Sequence, residues 1–378
     1  MNKIKVAHIL NSVGGVDVYL RLIVKNIDNS KVETIVIHGE DDTDKAYLDG
    51  FNKTIKNYKL PIQREIRIFK DISVILKTIK ILKKEKPQLI HSHSAKGGVI
   101  GKTVGWVLNI PVLYTPHAYS YLSAESSFKR KLYLFIERCF RRTNNIILAT
   151  SLSEQNRAIN EVGYKKENTV LFNNSISPIE LDPECSNISI HNLPKDYICT
   201  VGRPSYQKNI EMMIEVLVEV KKTIPNIHLV IMGIGVVSPN TDNVKRLIKE
   251  YGLESNTTLI EWIQRERVFH IVSQSKLYIS TARYEGLPYA IIESLSLSKS
   301  IVATNCDGNR DLIKDGENGF LLKPNDVNLM SDKIIELIQD DTKRHEFEKK
   351  SLQIFNQEFN LNKNIKNLEE IYLKYSAK

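Results

Sequence analysis

The feature that most limits what this chain can become is a repeated alternation. Short β-rich apolar runs, each followed by a polar turn and then a helical pattern, come in two sets. KVAHIL (5–10), TIVIHG (34–39), QLIHSH (88–93), VLYTPH (112–117) and NIILAT (145–150) form the first. YICTVG (197–202), HLVIMG (228–233), TTLIEW (257–262), LYISTA (277–282) and SIVATN (300–305) form the second. Strand, turn and helix repeated in that order make a parallel, doubly wound sheet. The expected architecture is therefore two sequential α/β domains with a cleft between them, and 378 residues are enough for both. The polar, proline-containing stretch 179–196 has no clear period and separates the sets. Domains are expected at 1–180 and 196–355, with a linker at 181–195. A helical tail at 356–378 is expected to pack back toward the first domain.

Charge sharpens the division. Residues 1–180 hold 28 Lys and Arg against 17 Asp and Glu, whereas the remainder holds 25 against 27, so the basic excess is confined to the first half. Eleven of the cations lie in 51–86, and six in FKRKLYLFIERCFRR (128–142), where they interleave with Phe128, Tyr133, Phe135 and Phe140. Such a segment is either a solvated helix face over a core or a contact with an anionic membrane surface. No motif for binding nucleic acid accompanies the charge. Cys139, Cys185, Cys199 and Cys306 are scattered, with neither a CxxC pair nor a disulfide framework, which suits a reducing compartment. The N-terminal apolar run is too short for a secretory core. The apolar stretch from Gly97 to Tyr114 is interrupted by Lys102 and Pro111, so a buried helix and strand are expected there.

In doubly wound sheets, ligands bind at the carboxyl ends of the strands. Four loops there carry polar residues or glycines that packing alone would not require. In NSVGGVDVYL (11–20), Gly14 and Gly15 open a helix after the first strand, where backbone amides meet a phosphate. YTPHAYS (114–120) leaves His117 just past a strand end; His91 and His93 share that setting, and for each a structural role is the ordinary reading. VGRPSYQKNIEMM (201–213) places Arg203 and Lys208 five residues apart beside a helix start, an anion-binding arrangement. In YEGLPYAIIES (284–294), Glu285 and Gly286 turn, Pro288 sits where a first helical residue often does, and Glu293 falls in the second helical turn.

These loops, in this order, together with GNRDLIKDGENGFLL (308–322), resemble the family 4 retaining glycosyltransferases of GT-B fold, of the bacterial surface-polysaccharide type. The resemblance spans most of the chain. It implies two facing Rossmann-like domains and an enzyme that moves a sugar from a UDP- or GDP-sugar, with no metal and no other cofactor. It also implies roles: Glu293 on the ribose hydroxyls, and Glu285 with Gly286 and Leu287 at the donor sugar. Arg203 and Lys208 would neutralise the diphosphate leaving group, the Gly14–Gly15 turn would meet it from the first domain, and His117 would stand beside the transferred sugar. Pro288 lacks an N–H, so loop amides must come from Gly286, Leu287 or Tyr289. At 173–175 the chain has NNS instead of an Asn-Gly turn, and TTLIEW replaces a glycine-bearing strand end near the base. The expected acceptor is a polyprenyl-diphosphate-linked saccharide, met at the cytoplasmic face of the membrane. Lys96-Gly97-Gly98 is a candidate acceptor turn. Three rivals make different demands. DDTD (41–44) offers Asp42 and Asp44 to a metal-assisted transferase. A nucleotide-sugar 2-epimerase would turn over without acceptor, and a non-catalytic binding protein would bind donor and transfer nothing.

Overall fold

The computed structural model describes residues 3–11, 14–63, 65, 67–124, 126–182, 193–235 and 238–376. The chain divides into two compact units, Met1–Asn174 with Leu361–Lys378, and Ser175–Asn360. Most of the expected linker, residues 183–192, lies outside the described residues.

The first unit is built on strands β1 (Ile4–Ile9), β2 (Val32–Gly39), β3 (Lys56–Leu60), β4 (Leu89–His93), β5 (Val112–Thr115), β6 (Asn145–Ala149) and β7 (Thr169–Leu171). They pair in parallel in the order β3-β2-β1-β4-β5-β6-β7. The second unit has β8 (Ile198–Val201), β9 (Leu229–Ile234), β10 (Thr257–Glu261), β11 (Leu277–Ser280), β12 (Ile301–Thr304) and β13 (Gly319–Leu322). These are also parallel, in the order β10-β9-β8-β11-β12-β13. Central strands are buried on both faces, as Ala7, Ile9, Val36 and Ile37 are in one sheet and Leu229, Ile231 and Leu277 in the other. That is why they read as unbroken apolar runs rather than alternating ones. Three strands go unseen in the apolar pattern, β3, β7 and β13, and each is an edge. KNYKL carries its lysines where an exposed edge is protected against further pairing.

The run from Gly97 to Tyr114 becomes helix Ser94–Leu108 and β5. Lys102, which interrupts it, is buried. Its Nζ lies 3.0 Å from Glu137 Oε2 and 3.8 Å above the Tyr114 ring, while the Tyr114 hydroxyl donates to Glu137 Oε1 at 2.8 Å. Lys96, Gly97 and Gly98 lie inside this helix and form no turn. A Cβ on Gly97 would stand 2.5 Å from the Ile9 carbonyl oxygen, so the glycine serves the close approach of helix to sheet. Lys96 pairs with Asp71 at 2.8 Å. Pro288 lies one position outside its helix, extended at ψ 120°, and helix Tyr289–Ser296 follows. The chain ends in helix Leu361–Ser376, counted with the first unit. Its Glu369 accepts from Asp28 N and pairs with Lys31, both at 2.9 Å.

Candidate active site

In both sheets the strand order reverses beside the first strand of the unit. β1 lies between β2 and β4, and β8 between β9 and β11. Crossovers leave such a point in opposite directions and open a crevice at the carboxyl ends of the strands.

In the second unit the loops that follow β8 and β11 meet there. Lys208 Nζ pairs with Glu285 Oε1 at 2.7 Å, and Gln207 Nε2 donates to Glu285 Oε2 and to the Tyr284 carbonyl, each at 3.2 Å. The backbone holds this junction closed. Arg283 N donates to Gln207 O at 2.8 Å, and the Thr281 hydroxyl donates to Asn209 O at 2.8 Å and Lys208 O at 3.1 Å. Asn209, in the left-handed region at φ 51°, ends the loop, and helix Ile210–Thr223 begins behind it. The Lys208 stem lies over Gly202, where a Cβ would stand 3.1 Å from its Cδ. Arg203 is exposed at the same strand tip. Gly286 follows Glu285 and Leu287 is buried. Beyond them, Glu293 is buried and ion-paired with Arg265, the first residue of helix Arg265–Gln274. Burial raises the Glu293 carboxyl above its usual range, and the Arg265 guanidinium opposes that rise. The two glutamates are thus held by different cations from different strands.

In the first unit, Gly14 at φ 59° precedes helix Gly15–Asn26, and both glycines are exposed. His117 and Ala118 are consecutive left-handed residues at φ 54° and 73°, a costly conformation for non-glycine residues that needs outside support. Glu154 supplies it: one carboxylate oxygen accepts from Ala118 N at 2.8 Å, the other from Thr150 N at 2.7 Å. Half-buried His117 ends a ladder of imidazoles. Its Nε2 is 3.2 Å from His93 Nδ1, and His93 Nε2 is 3.0 Å from His8 Nδ1. His91 bonds the Tyr372 hydroxyl at 2.7 Å and the Thr115 hydroxyl at 2.9 Å. Burial lowers all four, His8 and His117 to about 3 and His91 and His93 well below the usual imidazole value, so they are neutral near pH 7. His91 and His93 therefore keep their structural reading.

The family model "Glycosyltransferase Family 4" matches residues 13–178, and the model "Glycosyl transferases group 1" matches 183–353. A UDP-Gal:alpha-D-GlcNAc-diphosphoundecaprenol alpha-1,3-galactosyltransferase of Escherichia coli is 23% identical over 98% of this chain and 97% of its own. The chain is a family 4 glycosyltransferase.

The fold of this glycosyltransferase is GT-B. Sucrose-phosphate synthase from Thermosynechococcus elongatus superposes with a TM-score of 0.82 at 18% identity, over 99% of this chain and 100% of that one. The Anabaena protein HepE, in complex with UDP and glucose, gives 0.81 at 19% over 98% and 99%. Gln207, Arg265 and Glu154, which the motif reading missed, hold candidate residues in place: Gln207 bonds Glu285, Arg265 pairs with Glu293, and Glu154 accepts from Ala118 N beside His117. Gln207 adjoins Lys208 and could have been suspected from that; Arg265 and Glu154 become visible only through their partners. The Asp-x-Asp at 42–44 is divided between tasks. Asp42 accepts from Asn11 Nδ2 at 2.5 Å and Gly39 N at 2.9 Å, while exposed Asp44 pairs with Lys59. Among the described residues His8, His91 and His93 bring their ring nitrogens within 4.8 Å of one another, as a shared ion would need. Those rings already bond to each other, to His117 and to hydroxyls.

Proposed function

We propose that this glycosyltransferase moves a sugar, with retention, from a nucleoside-diphosphate sugar to a lipid-linked saccharide in the assembly of a surface polysaccharide. The observation that carries the donor half is the junction at the β8–β11 switch point, where Lys208, Gln207 and Glu285 converge and the Glu293–Arg265 pair follows. A carboxylate accepts two ribose hydroxyls well, and lysine with exposed Arg203 would neutralise a diphosphate as the glycosidic bond breaks. For Gly14, Gly15 and His117 of the first unit, the proposed roles toward the donor are those the family resemblance implies. HepE, with UDP and glucose bound, and the galactosyltransferase, whose name gives both UDP-Gal and a diphosphoundecaprenol acceptor, support the reading. Saturation-transfer NMR against UDP-, GDP- and ADP-sugars, followed by transfer to a diphospholipid-linked GlcNAc analogue, tests it. Donor hydrolysis or epimerisation without acceptor, or binding without transfer, would overturn it. Because the diphosphate charge is met by side chains, EDTA is expected to leave the rate near its starting value. Complete inhibition restored by manganese would refute that.

No helix among the described residues is long and apolar enough to cross a membrane. The proposed route to a lipid acceptor is a peripheral one, at the cytoplasmic face. On helix Ser127–Phe140 the residues Phe128, Leu132 and Phe135 are exposed at helical spacing beside Lys129, Arg130 and Lys131. Tyr133 and Phe140 do not join them, since Tyr133 packs on the core and Phe140 lies under Lys102. Arg138 and Arg141 are also committed, to the carbonyls of Glu161 and Val162. Helix Ile68–Glu85 presents a second such stripe, with Ile68, Phe69, Ile72 and Leu76 exposed among Lys70, Lys77 and Lys80. Cations near an anionic surface contribute about 1 kcal/mol each at best. Replacing Lys129, Arg130, Lys131 and Arg142 by Gln is expected to weaken binding to anionic liposomes roughly ten- to a thousand-fold, and high salt to imitate the change. Liposome binding that ignores both would return the segment to a solvated helix face.

A further inference from the structure

Four consecutive carbonyls in the loop after β8 are taken by two residues at the end of β11. The Arg283 guanidinium donates from Nη1 to Tyr206 O at 2.6 Å, and the Arg283 amide donates to Gln207 O at 2.8 Å. The Thr281 hydroxyl lies 3.1 Å from Lys208 O and 2.8 Å from Asn209 O. Residues 206–209 are thus laced along the end of β11, although they lie outside strand and helix. Only the first of these bonds depends on a long side chain. The same guanidinium lies 4.3 Å over the ring of Tyr206, which is 65% exposed. A planar, weakly hydrated guanidinium stacks on an aromatic face and keeps its in-plane donors for hydrogen bonds.

The Cα of Gln207 therefore stands between two peptide groups that are both held by Arg283, one by the side chain and one by the backbone. That fixes the direction in which the Gln207 side chain leaves the loop. Its amide donates to Tyr284 O and to Glu285 Oε2, each at 3.2 Å, while Lys208 holds Glu285 Oε1 at 2.7 Å. A carboxylate gripped at both oxygens is fixed in plane, and one gripped at a single oxygen is free to turn. We infer that Arg283 is a positioning residue for transfer, which acts through Gln207 to aim Glu285 at the donor sugar; the inference rests on the donor-site reading above.

Arg283→Ala is expected to lower kcat roughly five- to fifty-fold and to move the KM for donor by less than about three-fold, because Lys208, Arg203 and Glu293 are untouched. Arg283→Met should match it. Arg283→Lys, whose ammonium can still donate to the Tyr206 carbonyl, should recover most of the loss. Gln207→Ala is expected to cost about as much as Arg283→Ala, and the variant carrying both to be little slower than the worse single one, since the two act in series. The melting curve should stay that of the parent, and calorimetry should find a full equivalent of UDP or GDP bound in each variant. Parent-like transfer by R283A, losses that multiply in the double variant, or a lowered melting temperature with less than a full equivalent of nucleotide bound would overturn the inference and leave the donor site standing. A parent chain that binds neither nucleotide, or unaltered transfer by Lys208→Ala assayed alongside, would overturn the two together.

Discussion

Lys208→Ala is expected to lower transfer by roughly thirty- to a thousand-fold, the effect of losing about 2–4 kcal/mol of charge-assisted hydrogen bonding to a leaving group. Lys208 is bonded to Glu285, and Gln207 holds the other carboxylate oxygen, so the three act as a unit. Removing the lysine takes a cation from the diphosphate and leaves a buried carboxylate with only an amide for company. The Glu285→Ala effect should consequently not add to it. A double variant is expected to be little slower than the worse single one, whereas independent residues would multiply their losses. Circular dichroism should be unchanged, because the Thr281 and Arg283 backbone bonds that close the junction remain. Glu293→Ala is expected to act differently, raising the KM for donor more than it lowers kcat, since ribose contacts are made in ground and transition state alike. Full activity in purified Lys208→Ala or Glu293→Ala would remove the donor assignment altogether.

The second large effect is expected on stability rather than rate. His8 and His117 are held at about 3 and His91 and His93 well below the ordinary 6.5 by burial, so the folded chain does not take up protons there until strongly acid pH. Once unfolded, the same imidazoles protonate near 6.5, and the unfolded chain becomes the better proton binder. The stabilisation is complete above about pH 6.5 and is lost as pH falls toward 3. Each histidine kept neutral contributes a slope of about 1.4 kcal/mol per pH unit in that window. Urea midpoints are expected to be flat from pH 8 to 7 and to fall steeply below 6, ahead of the carboxylate range. A flat profile down to pH 4.5 would mean that the imidazole ladder charges in place. Neutrality has a catalytic corollary: donor-saturated turnover should show no imidazole titration between pH 5.5 and 8, with His117 acting as a hydrogen-bonding group.

Much of this protein was legible one residue at a time. Buried parallel strands are apolar end to end, so β1, β2, β4, β5 and β6, and β8 to β12, stand out as runs, and their alternation with helices implies parallel sheets. The glycine turn, the Arg-x4-Lys and the EGLPYAIIE stretch are contiguous in sequence because each is one loop at one strand end. Short spans of chain carry that information, and no tertiary contact is needed to read it. Of the four edge strands β10 was legible as a run, whereas β3 carries exposed lysines, β7 has three residues, and β13 has four and opens on Gly319, so none of these three stands out.

What only the tertiary structure decided is partnership. Sheet order brings β8 beside β11, and with it Lys208 to Glu285 across 77 residues; Arg265 meets Glu293 across 28. The same logic removed Lys96-Gly97-Gly98 from the candidate turns, since helix and strand meet where those glycines stand, and withdrew Tyr133 and Phe140 from the exposed stripe. Tyr372 reaches His91 across 281 residues. Local sequence sets which groups stand at strand ends, because backbone periodicity is a short-range property. Which of those groups touch is set by strand order and helix packing, whose free energy comes from burial across the whole unit and leaves no periodic signal in the chain.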